Sequence, residues 1–259
     1  MRITLIGSGN VATHLGAAFK NAGHRIVQVY SRNMDNAALL AYHIDAEPID
    51  NLSDISPETD LFIIAVNDAA IAQVAQQLAQ YNKPMMHTSG ATDIKVLTPF
   101  TTMAGVFYPL QTLSKNQEAT NSIPICIEGS DDAITLQLEQ LASTISKDVY
   151  RISSEQRKIV HLAAVFACNF PNYLYAVAQQ LLAENNLDFE LLRPLILETA
   201  QKVQDALPAG VQTGPAARND ETTMAAHLQM LDSDPPLQEL YRLLSQAIIK
   251  MENAGQARK

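Results

Sequence analysis

MRITLIGSGNVATHLGAAFKNAGHRIVQVYSR, residues 1–32, is the stretch whose reading decides the fold. Arg2 to Ile6 is a short β-branched run that reads as a buried strand. It breaks at Gly7-Ser8-Gly9-Asn10-Val11-Ala12, and helical spacing resumes through Leu15, Ala18 and Phe19. Asn21 to His24 ends the helix, with Gly23 suited to the left-handed conformation of a C-terminal cap. A second apolar run covers Arg25 to Tyr30. Strand, glycine turn, helix and strand within about thirty residues is the βαβ setting that a dinucleotide fingerprint requires.

The turn has a physical logic. Gly7 lets the chain turn sharply off the strand, and Gly9, lacking a Cβ, lets backbone approach a pyrophosphate. Ala12 stands where a third glycine is common and still allows close packing of helix on strand. The N–H groups that open the helix, with the positive end of its dipole, face the phosphates. Gly7, Ser8, Gly9, Asn10, Val11 and Ala12 are therefore expected to bind the cofactor. NAD sites place an acid about twenty residues further on. Here that position reads Tyr30-Ser31-Arg32-Asn33, so Ser31 and Arg32 can donate to a 2′-phosphate that a carboxylate would repel. Charge-assisted hydrogen bonds contribute roughly 1.5–3 kcal/mol each, enough to favour NADP over NAD by about tenfold. Asp35 is the nearest acid and keeps NAD as the lesser alternative.

Working outward, the chain has 259 residues, 47% of them hydrophobic, which allows two domains with a sizeable core. No repeat and no apolar span long enough for a membrane is evident. The strand beginning at residue 2 leaves no room for a signal peptide, so a cytoplasmic protein is expected. A formal net charge of −9 argues against a nucleic-acid surface. The histidines and the two cysteines, Cys126 and Cys168, show no metal-ligand spacing. Both cysteines lie in apolar runs and read as reduced core residues.

The first domain is placed at 1–152, an α/β, doubly wound Rossmann-like sheet. Asn36 to Tyr42 reads as a helix, Ala46 to Ile49 as a brief strand, and Asp60 to Val66 as a strand buried on both faces. The last ends at Asn67-Asp68, where such sheets bind ligands. Val66 and Asn67 are cofactor candidates, whereas Asp68 reads as the cap of the helix from Ala69 to Gln80. Pro84 to His87 is the next strand, ending in Thr88-Ser89-Gly90-Ala91. Ser89 is a further cofactor candidate, and His87 a packed strand residue near enough to the edge to meet substrate. Gly105 to Leu110 and Ile123 to Glu128 read as strands, Asp131 to Ser146 as a helix, and Val149 to Ile152 as a final strand.

The second domain, 153–259, is all helical. Ser153 with Gln156 makes a capping-box start to a helix running to about Glu184, apolar on most faces and so expected to be buried. Pro171 should interrupt it. Asp188 opens a second helix to Ala206, with Pro194 an expected irregularity, and Asp220 and Asp234 cap two more. Three short helices cannot cover so apolar a long one, so a homodimer through this domain is expected. His161, Asn169 and Asn172 on that helix need hydrogen-bond partners if buried. Either they fix the kink, or they face a cleft beside the nicotinamide, with His161 and Asn169 as catalytic candidates. In the loop Thr213 to Asp220, Arg218 and Asp220 lie at a helix start and suit an anionic substrate group. A capped helix with a surface arginine is the plainer alternative, and His227 could join that site or simply pack.

With those residues in view, Gly7 to Ala12 and the Ala65-Val66-Asn67-Asp68 strand end resemble the N-terminal domain of pyrroline-5-carboxylate reductases and deazaflavin-dependent NADP reductases. The helical domain is similar to the small dimerising domain of the 6-phosphogluconate dehydrogenase superfamily. The stretches YPLQT, AAVFACN and GPAARND resemble, over nearly the whole chain, a two-domain bacterial family. Its members are named oxidoreductases by inference, with a C-terminal domain of unknown function. That resemblance implies a Rossmann domain, NADP and a dimer, and no substrate. Related branches carry a catalytic Lys four residues before an Asn on the long helix. Here Val165 precedes Asn169 by four and Lys158 lies too far back. His161 is the best substitute, since an imidazole with a free pKa of about 6.5 suits acid–base work. The leading function is an NADP-dependent oxidoreductase acting on a small polar carbonyl, imine or alcohol between the domains. The alternatives are a dinucleotide-binding sensor or scaffold without turnover and, further off, a nucleotide-sugar or nucleoside-binding protein.

Overall fold

The computed structural model describes residues 1–114 and 123–256. Among them the strands form one eight-stranded sheet in the order β3-β2-β1-β4-β5-β6-β7-β8. These are β1 (Arg2–Ile6), β2 (Arg25–Tyr30), β3 (Glu47–Ile49), β4 (Leu61–Ile64), β5 (Met85–His87), β6 (Ala104–Pro109), β7 (Ile125–Gly129) and β8 (Val149–Arg151). The first six pair in parallel, β7 runs antiparallel to β6, and β8 is parallel to β7. The sheet order reverses between β1 and β4, which is where such sheets open a crevice at their carboxyl ends.

The alternation of side chains along the central strands builds two cores. Ile3, Leu5, Leu61 and Ile63 face one side, packed by Leu15 and Phe19 of α1 (Asn10–Asn21) and by Leu40 and Ile44 of α2 (Met34–Ile44). On the other side Ile6, Phe62 and Ile64 meet Ile71, Val74 and Leu78 of α3 (Ile71–Leu78). Coverage on both faces is why β4 is an unbroken apolar run. Leu138 and Leu141 of α4 (Asp132–Ser143) extend the first core.

The chain divides into two compact units, Met1–Tyr173 and a second that begins at Leu174. Strands stop at Arg151, where the composition changes, yet α5 (Ser154–Ala164) belongs with the sheet. Its Arg157 side chain is 1% exposed and meets the Glu128 carboxylate on β7 at 2.6 Å. The Ser153–Gln156 capping box is formed in full at the start of α5. The irregularity expected from Pro171 takes the form of a π turn over Val165–Asn169, in which the Phe170 N–H reaches back to the Val165 carbonyl. Pro171 has no N–H to donate and its ring crowds the turn before it, so the widened turn sits just upstream.

Much of this helix lies exposed in the single chain, and Cys168 departs from the core position expected of it. Ile159, Leu162, Phe166, Phe170 and Tyr173 are each about half exposed or more, and Cys168 is exposed while Cys126 is buried. Asn169 and Asn172 are exposed as well, so neither needs an internal partner.

The second unit holds most of α6 (Phe170–Glu184), then α7 (Arg193–Asp205), α8 (Glu221–Met230) and α9 (Pro235–Gln256). Asp188, Asp220 and Asp234 accept backbone N–H groups at the turns they open. Pro194 lies in the first turn of α7, where a missing N–H breaks no intrahelical bond, so it causes no kink. No helix among the described residues is long and apolar enough to cross a membrane.

Candidate functional site

The crevice between β1 and β4 is shaped by Gly7. Its φ is +125°, and a Cβ there would lie 2.3 Å from the Ala65 carbonyl oxygen, so both conformation and space demand glycine. α1 follows with Gly9 as its N-cap, no side-chain cap and no acid in its first turn. By contrast α2, α4, α5 and α8 are capped by Asn33, Asp131, Ser153 and Asp220. A Cβ on Gly9 would meet no heavy atom within 4 Å, so the space above the helix start is open. An uncapped helix start beneath open space is an anion seat. Ala12 is fully buried and serves by packing the helix onto the sheet, as expected.

A cavity of about 270 Å³ continues from this turn, lined by Gly7, Ser8, Gly9, Tyr30, Ser31, Arg32, Leu52, Val66, Asn67, Gln73 and Gln77 among others. None of its lining residues is acidic. The Ser8 hydroxyl donates to Ser31 Oγ at 3.1 Å, joining the glycine turn to the end of β2. Arg32 is exposed at the rim. The Asn10 side-chain amide donates to the Leu113 carbonyl at 2.8 Å, and His14 Nε2 meets the Ser114 carbonyl at 2.7 Å. Val11 is half-buried against the first core.

A second cluster forms where β5 and β6 end against α5. His87 is fully buried. Its Nδ1 accepts the Ser89 N–H at 3.2 Å, while Nε2 meets no partner among the described residues. Burial, with the charge of Arg157 second, lowers its pKa to about 4. The ring thus sits inside the fold at the β5 end, as the packed strand residue that the sequence also allowed. Ser89 accepts the N–H groups of Ala91 and Thr92 at 3.1 and 2.9 Å and donates to the Asp68 carboxylate at 2.8 Å. Asp68 is thus a partner of the β5 end rather than the helix cap expected. It opens a 3-10 turn, and α3 starts only at Ile71.

Beside Ser89, Gly90 is buried and close to two rings. A Cβ there would come within 2.8 Å of His161 Nδ1 and 2.9 Å of Tyr108 Cζ. Tyr108 Oη and His161 Nδ1 are 3.1 Å apart, with the rings edge to face at 6.1 Å. Burial pushes the Tyr108 hydroxyl above its usual pKa. Below, Arg157 pins α5 through Glu128, through Ser154 Oγ at 3.0 Å, and through the Thr92 carbonyl. His161 lies one helical turn beyond Arg157, so its ring is carried on an anchored segment. Asn169 stands at the far end of the π turn, exposed.

Arg218 and Asp220 lie in the second unit. Gly214, with φ +103°, opens their loop, Arg218 is exposed, and Asp220 caps α8 by accepting the Thr223 N–H at 3.0 Å and hydroxyl at 2.8 Å. The Thr223 N–H bond, then the hydroxyl bond, then the charge of Arg218 hold the Asp220 carboxyl below its usual range. His227 packs edge to face on Tyr241 and shares a 2.8 Å hydrogen bond with its hydroxyl.

Tyr108 and Arg157 escaped the sequence reading as site residues. Only Tyr108 left a usable sign, a polar-tipped ring at the carboxyl end of an otherwise apolar strand.

With this geometry established, residues 1–111 match the model of a Rossmann-like domain and residues 123–248 that of a domain of unknown function, DUF2520. A Bacteroides fragilis protein, named as a candidate NADP oxidoreductase, is 44% identical over 96% of this chain and 98% of its own, with a TM-score of 0.92. The chain belongs to this two-domain family. A 1-pyrroline-5-carboxylate reductase from Streptococcus pyogenes shares 15% identity over 98% of each chain, with a TM-score of 0.62. An imine reductase from Myxococcus stipitatus in complex with NADP+ shares 13% over 99% of this chain and 95% of its own, at 0.66. At such identities the likeness extends to the fold. No curated protein sequence matches the chain.

Proposed function

We propose that this chain is an NADP-dependent oxidoreductase that moves a hydride to or from a small polar carbonyl, imine or alcohol. The observation that carries it is the crevice: α1 starts from an extended Gly9 without a side-chain cap, whereas α3 and α7, also without one, continue from 3-10 turns; the start of α1 lies under open space and leads into a cavity with no acid among its described lining residues. Those free N–H groups suit a pyrophosphate, and Ser8, Ser31 and Arg32 suit a ribose that carries a 2′-phosphate. Val66 and Asn67 supply the opposite wall. The names of the Bacteroides fragilis relative and of the NADP+-bound imine reductase support the same cofactor. When bound, NADPH supplies the hydride from its nicotinamide ring.

The remaining chemistry belongs to side chains. An atom that gains electrons as its neighbour takes the hydride must gain a proton. His161, anchored by Arg157 at the end of the β5–β6 edge, is the group we assign to hand over that proton, drawn from water as it is passed on, so that the imidazole is neutral before and after. Asn169, Arg218 and Asp220 are assigned to substrate, and the helical region 153–259 to substrate binding and dimerisation, with 1–152 holding the cofactor. The uncovered apolar side chains of α5 and α6 support a homodimer.

Titration of the purified protein with NADPH and NADH, followed by nicotinamide fluorescence, tests the cofactor. NADPH should bind about tenfold or more tighter than NADH, and Arg32→Ala should erase most of that preference. Equal affinities, retained in the variant, would refute the assignment. A screen of oxo acids, imines and hydroxy acids then separates an enzyme from a sensor without turnover.

A further inference from the structure

We propose that Tyr108 is a positioning residue that fixes the tautomer of His161, so that His161 presents Nε2–H, a donor, to the reacting atom; the proposal rests on reading His161 as the acid–base group. The Tyr108 hydroxyl is half-buried, and His161 Nδ1, at 3.1 Å, is its one hydrogen-bond partner among the described residues. A phenol carries a single proton, and burial holds that proton on by pushing the Tyr108 pKa up. A phenol O–H is a better donor than an imidazole N–H, and an unprotonated imidazole nitrogen a better acceptor than a phenol oxygen, so the pair is stronger with Oη donating to Nδ1. Donation from Oη to Nδ1 satisfies both groups. A neutral imidazole whose Nδ1 accepts must then carry its proton on Nε2.

Gly90 supplies a second, independent line. Its conformation is ordinary, so the turn does not need glycine; the rings do, because a Cβ would lie within 3 Å of both. The end of β5 therefore closes on the pair as backbone, which keeps the two rings in their edge-to-face contact. A donor at His161 Nε2 complements an acceptor: a carbonyl oxygen or a neutral imine nitrogen, polarised for hydride addition. An alcohol, which must give up a hydrogen, meets the wrong group. In its neutral form the ring is therefore set to polarise a carbonyl or imine rather than to take a proton from an alcohol.

The test is imidazole ¹⁵N NMR on the full chain, at a pH about two units above the free imidazole value. The His161 signals are assigned by their loss in His161→Gln. Wild type should show Nδ1 bare and Nε2 protonated, and Tyr108→Phe, which keeps the ring, should move the two resonances toward each other as tautomers mix. A protonated Nδ1 in the wild type, or unchanged resonances in Tyr108→Phe, would overturn the proposal. In parallel, NADPH-dependent turnover of the carbonyl or imine that the wild type reduces should fall about tenfold in kcat in Tyr108→Phe, with the KM for NADPH unchanged. Full kcat in a variant whose tautomers have mixed would also overturn it. Should the wild type reduce nothing, the oxidoreductase reading fails while the NMR arm still decides the tautomer.

Discussion

Protonation of His87 should destabilise the fold between neutral pH and about pH 4. The ring is fully buried, its Nδ1 is occupied by the Ser89 N–H, and Arg157 lies near enough for its charge to oppose a second cation. Its pKa is lowered from 6.5 to about 4, first by burial and then by that charge. The unfolded chain therefore binds the proton more readily than the native one across this window. Stability is full above pH 6.5, declines as pH falls toward 4, and loses nothing further from this group below. At 1.36 kcal/mol per pKa unit the loss is about 3 kcal/mol by pH 4. Other groups titrate in the same range, so the informative quantity is a difference between proteins. His87→Asn keeps an acceptor near Nδ1 and removes the titration. Urea unfolding followed by circular dichroism at about pH 7.5 and pH 4 should show a smaller loss in the variant, by about 3 kcal/mol. Equal losses in the two proteins would refute the account and would mean that His87 finds a partner for its second proton.

Other perturbations have equally direct readings. Gly7→Ala forces a side chain onto a backbone at φ +125° and toward the Ala65 carbonyl oxygen. It should cost about 1–3 kcal/mol for the backbone alone, seen as a lower thermal midpoint, and abolish NADPH binding. Arg157→Gln leaves Glu128 beside β7 with the Ser154 hydroxyl but without its ion-pair partner, and should lower stability by about 3 kcal/mol in denaturant titration. Gly90→Ala should leave the fold and NADPH affinity intact while separating Tyr108 from His161, so that turnover falls and the tyrosine-dependent His161 resonances shift.

The first unit was legible in the sequence because its signals are local. Continuous apolar runs mark β1, β2 and β4, and Gly7 and Gly9 announce the turn whatever lies around them. Ser153 with Gln156, Asp220 and Asp234 mark their helix starts for the same reason, since a cap is complete within four residues. The β5–β6 edge is different. Tyr108 and His161 are 53 residues apart, and nothing in their spacing tells that they meet. Gly90 has no unusual φ and so gives no turn signal. Asp68 stands where a cap would stand, and only the fold shows its carboxylate turned to Ser89. Arg157 reads as a solvated charge on a polar helix start until Glu128, Ser154 and Thr92 are placed around it. The long helix from α5 into α6 misleads in the opposite sense, because apolar residues report a tendency to be covered and not what covers them.

The missing cap of α1 has a consequence for how long this protein lasts. The starts of α2, α4, α5 and α8 are capped by side chains and those of α3 and α7 continue from 3-10 turns, whereas α1 begins at an extended glycine and leaves its first N–H groups for something else to satisfy. A dinucleotide bound there would act as a removable structural part, raising stability by about 2.7 kcal/mol when present at a hundred times its dissociation constant. Under the proposed function, the fraction of molecules open to proteolysis then follows the supply of NADP, so a cell short of cofactor would also hold less of this protein.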